Sequence, residues 1–241
     1  MFYVGIHRMT QIFVLPYKWV MEHVSRDRIT DILHEKDIAK SNRFVHDADR
    51  DRYLAARLYL YGLLKYKGFE TSKKLVLDVN EFGKPYVSGI DIRFNWSHSG
   101  EMIAVMVGLN QCGIDIELHS GKELYDYRSL CTEKELTWLK LKCQQTGLSE
   151  HELFLDLWTA KESVVKAKGS GLSTDPRHIE IIYDQVDEKL WTCNHDIVFY
   201  GNTEVINWEN EMYSLAWCNP IIRSICTIPP SDIVKDILIY I

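Results

Sequence analysis

The sequence predicts a mixed α+β chain, and three observations carry that prediction. They are a stretch of helical apolar period from Asp47 to about Tyr66, extended segments at Phe94 to Ser97 and Ile103 to Leu109, and a strictly alternating run from Gly113 to Leu118. In the first, Leu54, Leu58, Tyr61 and Leu64 form one helical stripe, with Arg50, Arg52 and Arg57 off it. After Gly68 a short apolar run, Leu75 to Val79, leads into the turn Glu81-Phe82-Gly83-Lys84-Pro85, which predicts Lys84 on a rigid, exposed corner. The segment Ile103 to Leu109 is almost wholly apolar, as a strand buried on both faces would be.

Asn110-Gln111 then makes a turn, and the alternation that follows puts Ile114, Ile116 and Leu118 on one strand face and Asp115 and Glu117 on the other. A helix starts at Thr132 with Glu135 in its first turn. A longer one runs from about Glu150 to Lys168 and stops at Gly169-Ser170-Gly171. Three further strands are expected at Ile179 to Tyr183, Ile197 to Tyr200 and Tyr213 to Trp217.

Composition narrows the class. At 241 residues the chain forms one large domain or two small ones sharing a core. Hydrophobic residues make 46% and charged residues 26%, with 13 Gly and 6 Pro, so collagen-like and low-complexity architectures are excluded. The longest stretch without Asp, Glu, Lys or Arg, Met102 to Ile114, falls well short of the roughly 20 apolar residues that span a bilayer. The opening MFYVGIHRMTQIFVL has neither a basic start nor a small-residue cleavage site, so a cytoplasmic protein is expected.

The six cysteines form no CxxC pair, so neither a zinc site nor a disulfide framework is indicated. Residues 1–110 carry 16 Lys+Arg against 13 Asp+Glu, a balance of +3, and the remaining 12 against 21 give −9, which sums to −6. A basic first part beside an acidic second part suits a phosphate-bearing ligand with a metal.

Four constellations could carry chemistry. Asp115 and Glu117 lie about two strand rises of ~3.3 Å apart on one face, so both carboxylates can reach one Mg2+, although an isolated D-x-E is more often a solvated strand face. Trp158, Glu162 and Lys166 share a helical face, where the ordinary alternative is a surface ion pair of about 0.3–0.5 kcal/mol. Asn95-Trp96-Ser97-His98-Ser99-Gly100 offers several donors to an anion. Neighbouring Ser97 and His98 point to opposite faces, so a hydrolytic dyad there is poor geometry. Lys40, Arg43 and Arg52 flank the first long helix.

In this order the residues resemble the 4'-phosphopantetheinyl transferases of the long monomeric Sfp, or surfactin synthetase-activating, type. Phe82-Gly83-Lys84-Pro85 is similar to the family's G-K-P turn, and Phe94 to Ser99 to its F-N-x-S-H-S segment. Gly113 to Glu117 is similar to G-x-D-x-E, and Trp158 to Lys166 to W-x-x-K-E-x-x-x-K. The resemblance runs from about Arg43 to Leu172 and is weak beyond.

It implies an α+β fold of two similar halves with pseudo-twofold symmetry. The first half, 1–109, would contact the coenzyme A nucleotide and phosphates, and the second, 110–241, would carry a Mg2+ platform and the catalytic helix. It implies transfer of phosphopantetheine from coenzyme A to a serine of an apo acyl or peptidyl carrier protein by a monomer, with Mg2+ or Mn2+. Asp115, Glu117 and Glu135 match the metal ligands, with Glu133 a rival to Glu135.

Glu162, Lys166 and His98 match catalytic positions; Lys40, Arg52, Lys84, Ser97, His98, Lys161 and Lys166 match coenzyme A contacts, with Lys36 or Asp37 alternatives at the second upstream basic position. A metal-dependent phosphodiesterase would also use D-x-E, but the net charge of −6 and the absence of a basic, aromatic-interleaved stripe speak against nucleic acid. A catalytically silent carrier-binding module is the other alternative.

Overall fold

The computed structural model describes residues 10–69, 74–120, 126–169, 174–183, 189–193, 197–220, 226–227 and 236–241. Most of the N-terminal run weighed as a leader, Ser170 and Gly171 of the expected helix stop, and the side chains of Cys193 and Cys226 lie outside the described residues. The chain forms two compact units. One gathers Met1–Val79, Pro85–Leu109 and Ile225–Ile241, the other Asn80–Lys84 and Asn110–Ser224. Contiguous parts 1–109 and 110–241 differ from these units in two segments, one crossing in each direction.

The first unit has a four-stranded sheet in the order β11-β1-β5-β4. Its strands are β1 (Thr10–Pro16), β4 (Arg93–Ser99), β5 (Met102–Gly108) and β11 (Cys226–Thr227), with a small ribbon of β2 (Asp78–Val79) and β3 (Pro85–Tyr86) beside them in sequence. β5 pairs antiparallel with β1 and β4, and every residue of β5 is buried, as its apolar run requires.

Helix α4 (Asp47–Tyr66) is the unit's other large element, with Asp47 and Asp49 at its positive end and Lys65 at its negative end. It is not covered along one stripe only. All residues from Tyr53 to Leu64 are buried, including Arg57, because three short helices that the sequence pattern does not announce pack on it. These are α1 (Tyr17–Glu22), α2 (Arg26–Ile32) and α3 (Glu35–Ser41). Fully buried Leu58, Leu63 and Leu64 each contribute about 1.5–3 kcal/mol on leaving water. The Gly62 face of α4 lies under the C-terminal turn: a Cβ there would meet Ile241 Cγ1 at 2.8 Å and Ile237 O at 2.9 Å.

The second unit is a five-stranded sheet in the order β6-β10-β9-β8-β7, antiparallel throughout. Its strands are β6 (Gly113–Leu118), β7 (Ile179–Tyr183), β8 (Lys189–Cys193), β9 (Ile197–Trp208) and β10 (Glu211–Asn219). β9 runs well past the expected Tyr200. Gly201-Asn202 looks like a turn, yet both residues pair with Cys218 and Trp217 of β10, and that ladder carries the strand onward.

Helices α5 (Glu133–Thr146) and α6 (Glu150–Lys168) each begin with a capping box, Thr132 with Glu135 and Ser149 with Glu152. α6 stops at Gly169, whose φ of +71° is the left-handed conformation that favours glycine. Leu153, Phe154, Leu157, Ala160 and Val164 of α6 join Ile179, Phe199 and Ala216 of the sheet in one apolar core. The observed class is therefore mixed α+β. Among the described residues no helix is long and apolar enough to cross a membrane.

Candidate functional site

Three residues of the motifs meet where α6 lies on β6. Gly113 permits the approach, since an added Cβ would stand 1.9 Å from Ser163 O and 2.5 Å from Ala167 N. With the helix this close, Lys166 Nζ donates to Asp115 Oδ1 at 2.5 Å, and Asp115 is only 2% exposed. The β6 face that carries Asp115 is thus covered by α6 at that residue, unlike an ordinary solvated strand face. The half-buried Glu162 lies within electrostatic reach of both. Burial pushes its carboxyl up, the Asp115 charge pushes the same way, and the Lys166 ammonium partly offsets them.

Glu117 is half-buried on β6 and stands opposite Ser214 of β10. A polar chain that the motifs do not include begins there. Ser214 Oγ donates to Asp156 Oδ1 at 2.6 Å, and His119 Nε2 lies 2.7 Å from Ser214 Oγ. Burial holds the His119 imidazole below its ordinary pKa, against the pull of the Asp156 and Glu152 carboxylates. The available signal was the period of two that continues from Asp115 and Glu117 to His119.

Two expected site residues have other duties here. Glu135 and Lys161 form an ion pair of 2.8 Å with side chains 1% and 0% exposed. Glu135 also accepts the N–H of Thr132 at 2.7 Å and of Ile181 at 2.9 Å, while Lys161 donates to Ile179 O at 2.6 Å and Pro176 O at 3.0 Å. Both are tied into the junction of α5, α6 and β7, and that is where the structure places the residues expected as third metal ligand and phosphate contact. The rival Glu133 is exposed.

Lys84 differs as well. Instead of projecting from an exposed corner, its ammonium donates to Lys166 O at 2.7 Å, Ala167 O at 2.9 Å and Cys112 O at 3.0 Å.

In the first unit, Arg52 donates to Gly100 O at 2.7 Å and pairs with Asp49 at 2.5 Å. That hydrogen bond lowers the Asp49 carboxyl, and Arg52, His46 and His98 add attraction through space, so these groups share one patch at the start of α4. Strand alternation exposes His98 and buries Ser97. Lys40 is exposed with its Nζ 5.3 Å from the Tyr53 ring centroid, and Lys36 is exposed on the same helix. Asp37 accepts from Arg57 at 2.6 Å and from Tyr53 Oη at 2.8 Å, a part-buried pairing absent from the motif reading.

Among the described residues no three His, Cys, Asp or Glu side chains converge as a ready metal cage. The donor set nevertheless has the right chemistry for a hard divalent cation. Asp115 and Glu162 are carboxylates close enough to repel each other, and a cation between oxygen donors relieves that repulsion.

The model of the 4'-phosphopantetheinyl transferase superfamily matches residues 111–219, which span β6 through β10 with α5 and α6. This chain belongs to that superfamily. It is 32% identical to the 4'-phosphopantetheinyl transferase gsp of Aneurinibacillus migulanus over 161 residues, 67% of this chain and 66% of that protein. It is 28% identical to the 4'-phosphopantetheinyl transferase Sfp of Bacillus subtilis, over 61% of this chain and 65% of that one. The L-aminoadipate-semialdehyde dehydrogenase-phosphopantetheinyl transferase of Schizosaccharomyces pombe is 26% identical over 66% of this chain and 67% of its own length. The chain thus spans about 65% of the length of the first two relatives.

Proposed function

We propose that this superfamily member moves the 4'-phosphopantetheine arm of coenzyme A onto a serine of an apo acyl or peptidyl carrier protein, releasing adenosine 3',5'-bisphosphate. The observation that carries the reading is the meeting of Asp115, Glu162 and Lys166 inside the segment matched by the family model. In the proposed step the serine Oγ forms a bond to the β-phosphorus. The bond from that phosphorus to the bridging oxygen breaks, and the adenosine bisphosphate carries the bridging oxygen away.

The serine proton goes to Glu162, a half-buried carboxylate one helical turn before Lys166. The Lys166 ammonium faces the charge that develops on the phosphoryl oxygens. Asp115, Glu117 and Glu162 are the residues that would hold Mg2+ or Mn2+, which supplies Lewis-acid stabilisation of the pyrophosphate when bound.

Arg52 offers positive charge to a phosphate at the start of α4, with the His46 and His98 imidazoles in the same patch, and Lys40 and Ser97 complete the contacts that the family resemblance assigns to the first unit. The pseudo-twofold relation, the monomeric state and the cytoplasmic setting belong to the same proposal. So does the pathway served, whether fatty-acid, polyketide or peptide synthesis.

Intact mass of an apo carrier protein after incubation with the chain, coenzyme A and Mg2+ tests the reading. One added phosphopantetheine per carrier is expected, abolished by EDTA and restored by Mg2+. Unchanged mass across fatty-acid, polyketide and peptidyl carriers, with folded protein, would overturn it.

A further inference from the structure

The last turn of a helix leaves four carbonyls without partners inside the helix. In α6 some of those carbonyls are met by two side chains from outside it, and a third side chain meets the carbonyl just beyond. Besides the three contacts of Lys84, Gln111 Nε2 donates to Ala167 O at 2.7 Å and Asn80 Nδ2 donates to Gly169 O at 3.2 Å, just past the helix end. Lys84 is itself held in place. Asn80 Oδ1 accepts the N–H of Phe82 at 3.0 Å and of Lys84 at 2.8 Å, so the turn that presents the lysine is closed by its own side-chain bonds. The lysine stem lies over Gly169, where an added Cβ would come within 2.8 Å of Lys84 Cδ.

The third acceptor, Cys112 O, is one residue before β6 and three before Asp115. One ammonium therefore bonds the carbonyl of Lys166 and the residue leading into the Asp115 strand. It sits at the negative end of the helix, where a cation is favoured.

We propose that Lys84 is a positioning residue: its ammonium clamps the last turn of α6 to the entry of β6 and so fixes the Lys166–Asp115 pair. This rests on the transferase reading for its consequence in turnover, but not for the clamp itself. It also gives the G-K-P lysine a duty other than contact with the nucleotide. Such a contact would require the ammonium to leave these three carbonyls.

The test uses the full chain carrying Lys84→Met, which keeps a similar stem and removes the donors. Backbone amide exchange is followed without coenzyme A or metal, and kcat and KM for coenzyme A are measured in the carrier assay. If the clamp holds, exchange at Ala167 to Gly169 quickens by about tenfold, with other α6 amides and the β9–β10 ladder unchanged. The value of kcat falls about tenfold or more, KM for coenzyme A shifts less than threefold, and Lys84→Met adds little on top of Lys166→Ala.

Unchanged exchange with a raised KM overturns the clamp and returns Lys84 to the nucleotide. Faster exchange with unaltered kcat overturns its positioning role. A wild-type chain without transfer activity sinks the function, while the exchange result still decides the clamp. Should Lys84→Met loosen the whole unit, Lys84→Gln, which removes the charge and can reach fewer of the three carbonyls, carries the same measurement: faster exchange confined to residues 166–169 supports the clamp, and unchanged exchange refutes it.

Discussion

Replacing Lys161 by Met should unfold this protein more readily without touching the reacting groups, and the buried ion pair shows why. Met is close to Lys in length but brings no charge. It leaves the Glu135 carboxylate 1% exposed with its cation gone, and it strips the Pro176 and Ile179 carbonyls of a donor. Breaking one side of a buried pair typically costs about 3–5 kcal/mol, because the remaining charge is stranded away from water.

With a urea m-value of about 1–3 kcal/mol/M, a loss of that size moves the unfolding midpoint by roughly 1–5 M. The assay is urea unfolding followed by circular dichroism in wild type, Lys161→Met, Glu135→Gln and the double variant. The double variant should recover most of the loss, since a neutral Gln keeps an acceptor for the Ile181 and Thr132 N–H groups. A Lys161→Met protein within 1 kcal/mol of wild type by this measure (~1 kcal/mol being ordinary mutational scatter) would refute the structural assignment. A selective loss of coenzyme A affinity in that protein would restore Lys161 as a phosphate contact.

Asp115→Asn should abolish Mg2+-dependent transfer and weaken Mg2+ binding measured by calorimetry, because the variant loses a charge shared with Glu162 and Lys166. Near-normal binding would move the metal elsewhere. Gly113→Ala should destabilise by about 2 kcal/mol or more through the clash with Ser163 O, read as a lower thermal midpoint; an unshifted midpoint contradicts the close approach.

Tyr59→Phe should be neutral or slightly stabilising, within about 1 kcal/mol, because the buried hydroxyl finds no partner among the described residues. A loss well above that in urea unfolding would reveal one. Burial lowers the Lys67 ammonium from 10.5 to about 8. Between those pH values the unfolded chain holds a proton that the folded chain has released, so stability rises with pH across that window. Relative to Lys67→Met, wild type should gain up to about 3 kcal/mol from pH 8 to pH 10.5, and parallel curves would disprove the shift.

The long elements were legible because their signals are local. The period of α4, the Thr132 and Ser149 caps with glutamates three residues on, and the alternation of β6 each sit within one stretch of chain. Helices α1 to α3 have six or seven residues, too few for a periodic pattern, and they are held by packing on α4.

The same division runs through the site. Spacing put Glu162 and Lys166 on one helical face, but only the fold sets Asp115 beside them. The partners of Glu135, Lys161 and Lys84 are largely backbone groups of distant elements, which no motif encodes. The Ser214–Asp156–His119 chain draws one residue from each of three places in the sequence, and beyond the period of two that reaches His119 nothing local marks it.

The return of the chain's last segment to the first unit has a consequence during synthesis. Gly62 on α4 waits for Ile237 and Ile241, and Thr10 of β1 for Cys226 of β11, so the covering residues emerge from the ribosome about 175 and 216 positions later (237 − 62 and 226 − 10). Until then part of α4's apolar surface stays open to solvent, whereas the body of the second unit, Asn110–Ser224, is already continuous. The first unit is thus completed only after the body of the second has been made. A nascent chain stalled before Ile237 and Ile241 emerge should seek a chaperone through the face of α4 that carries Gly62.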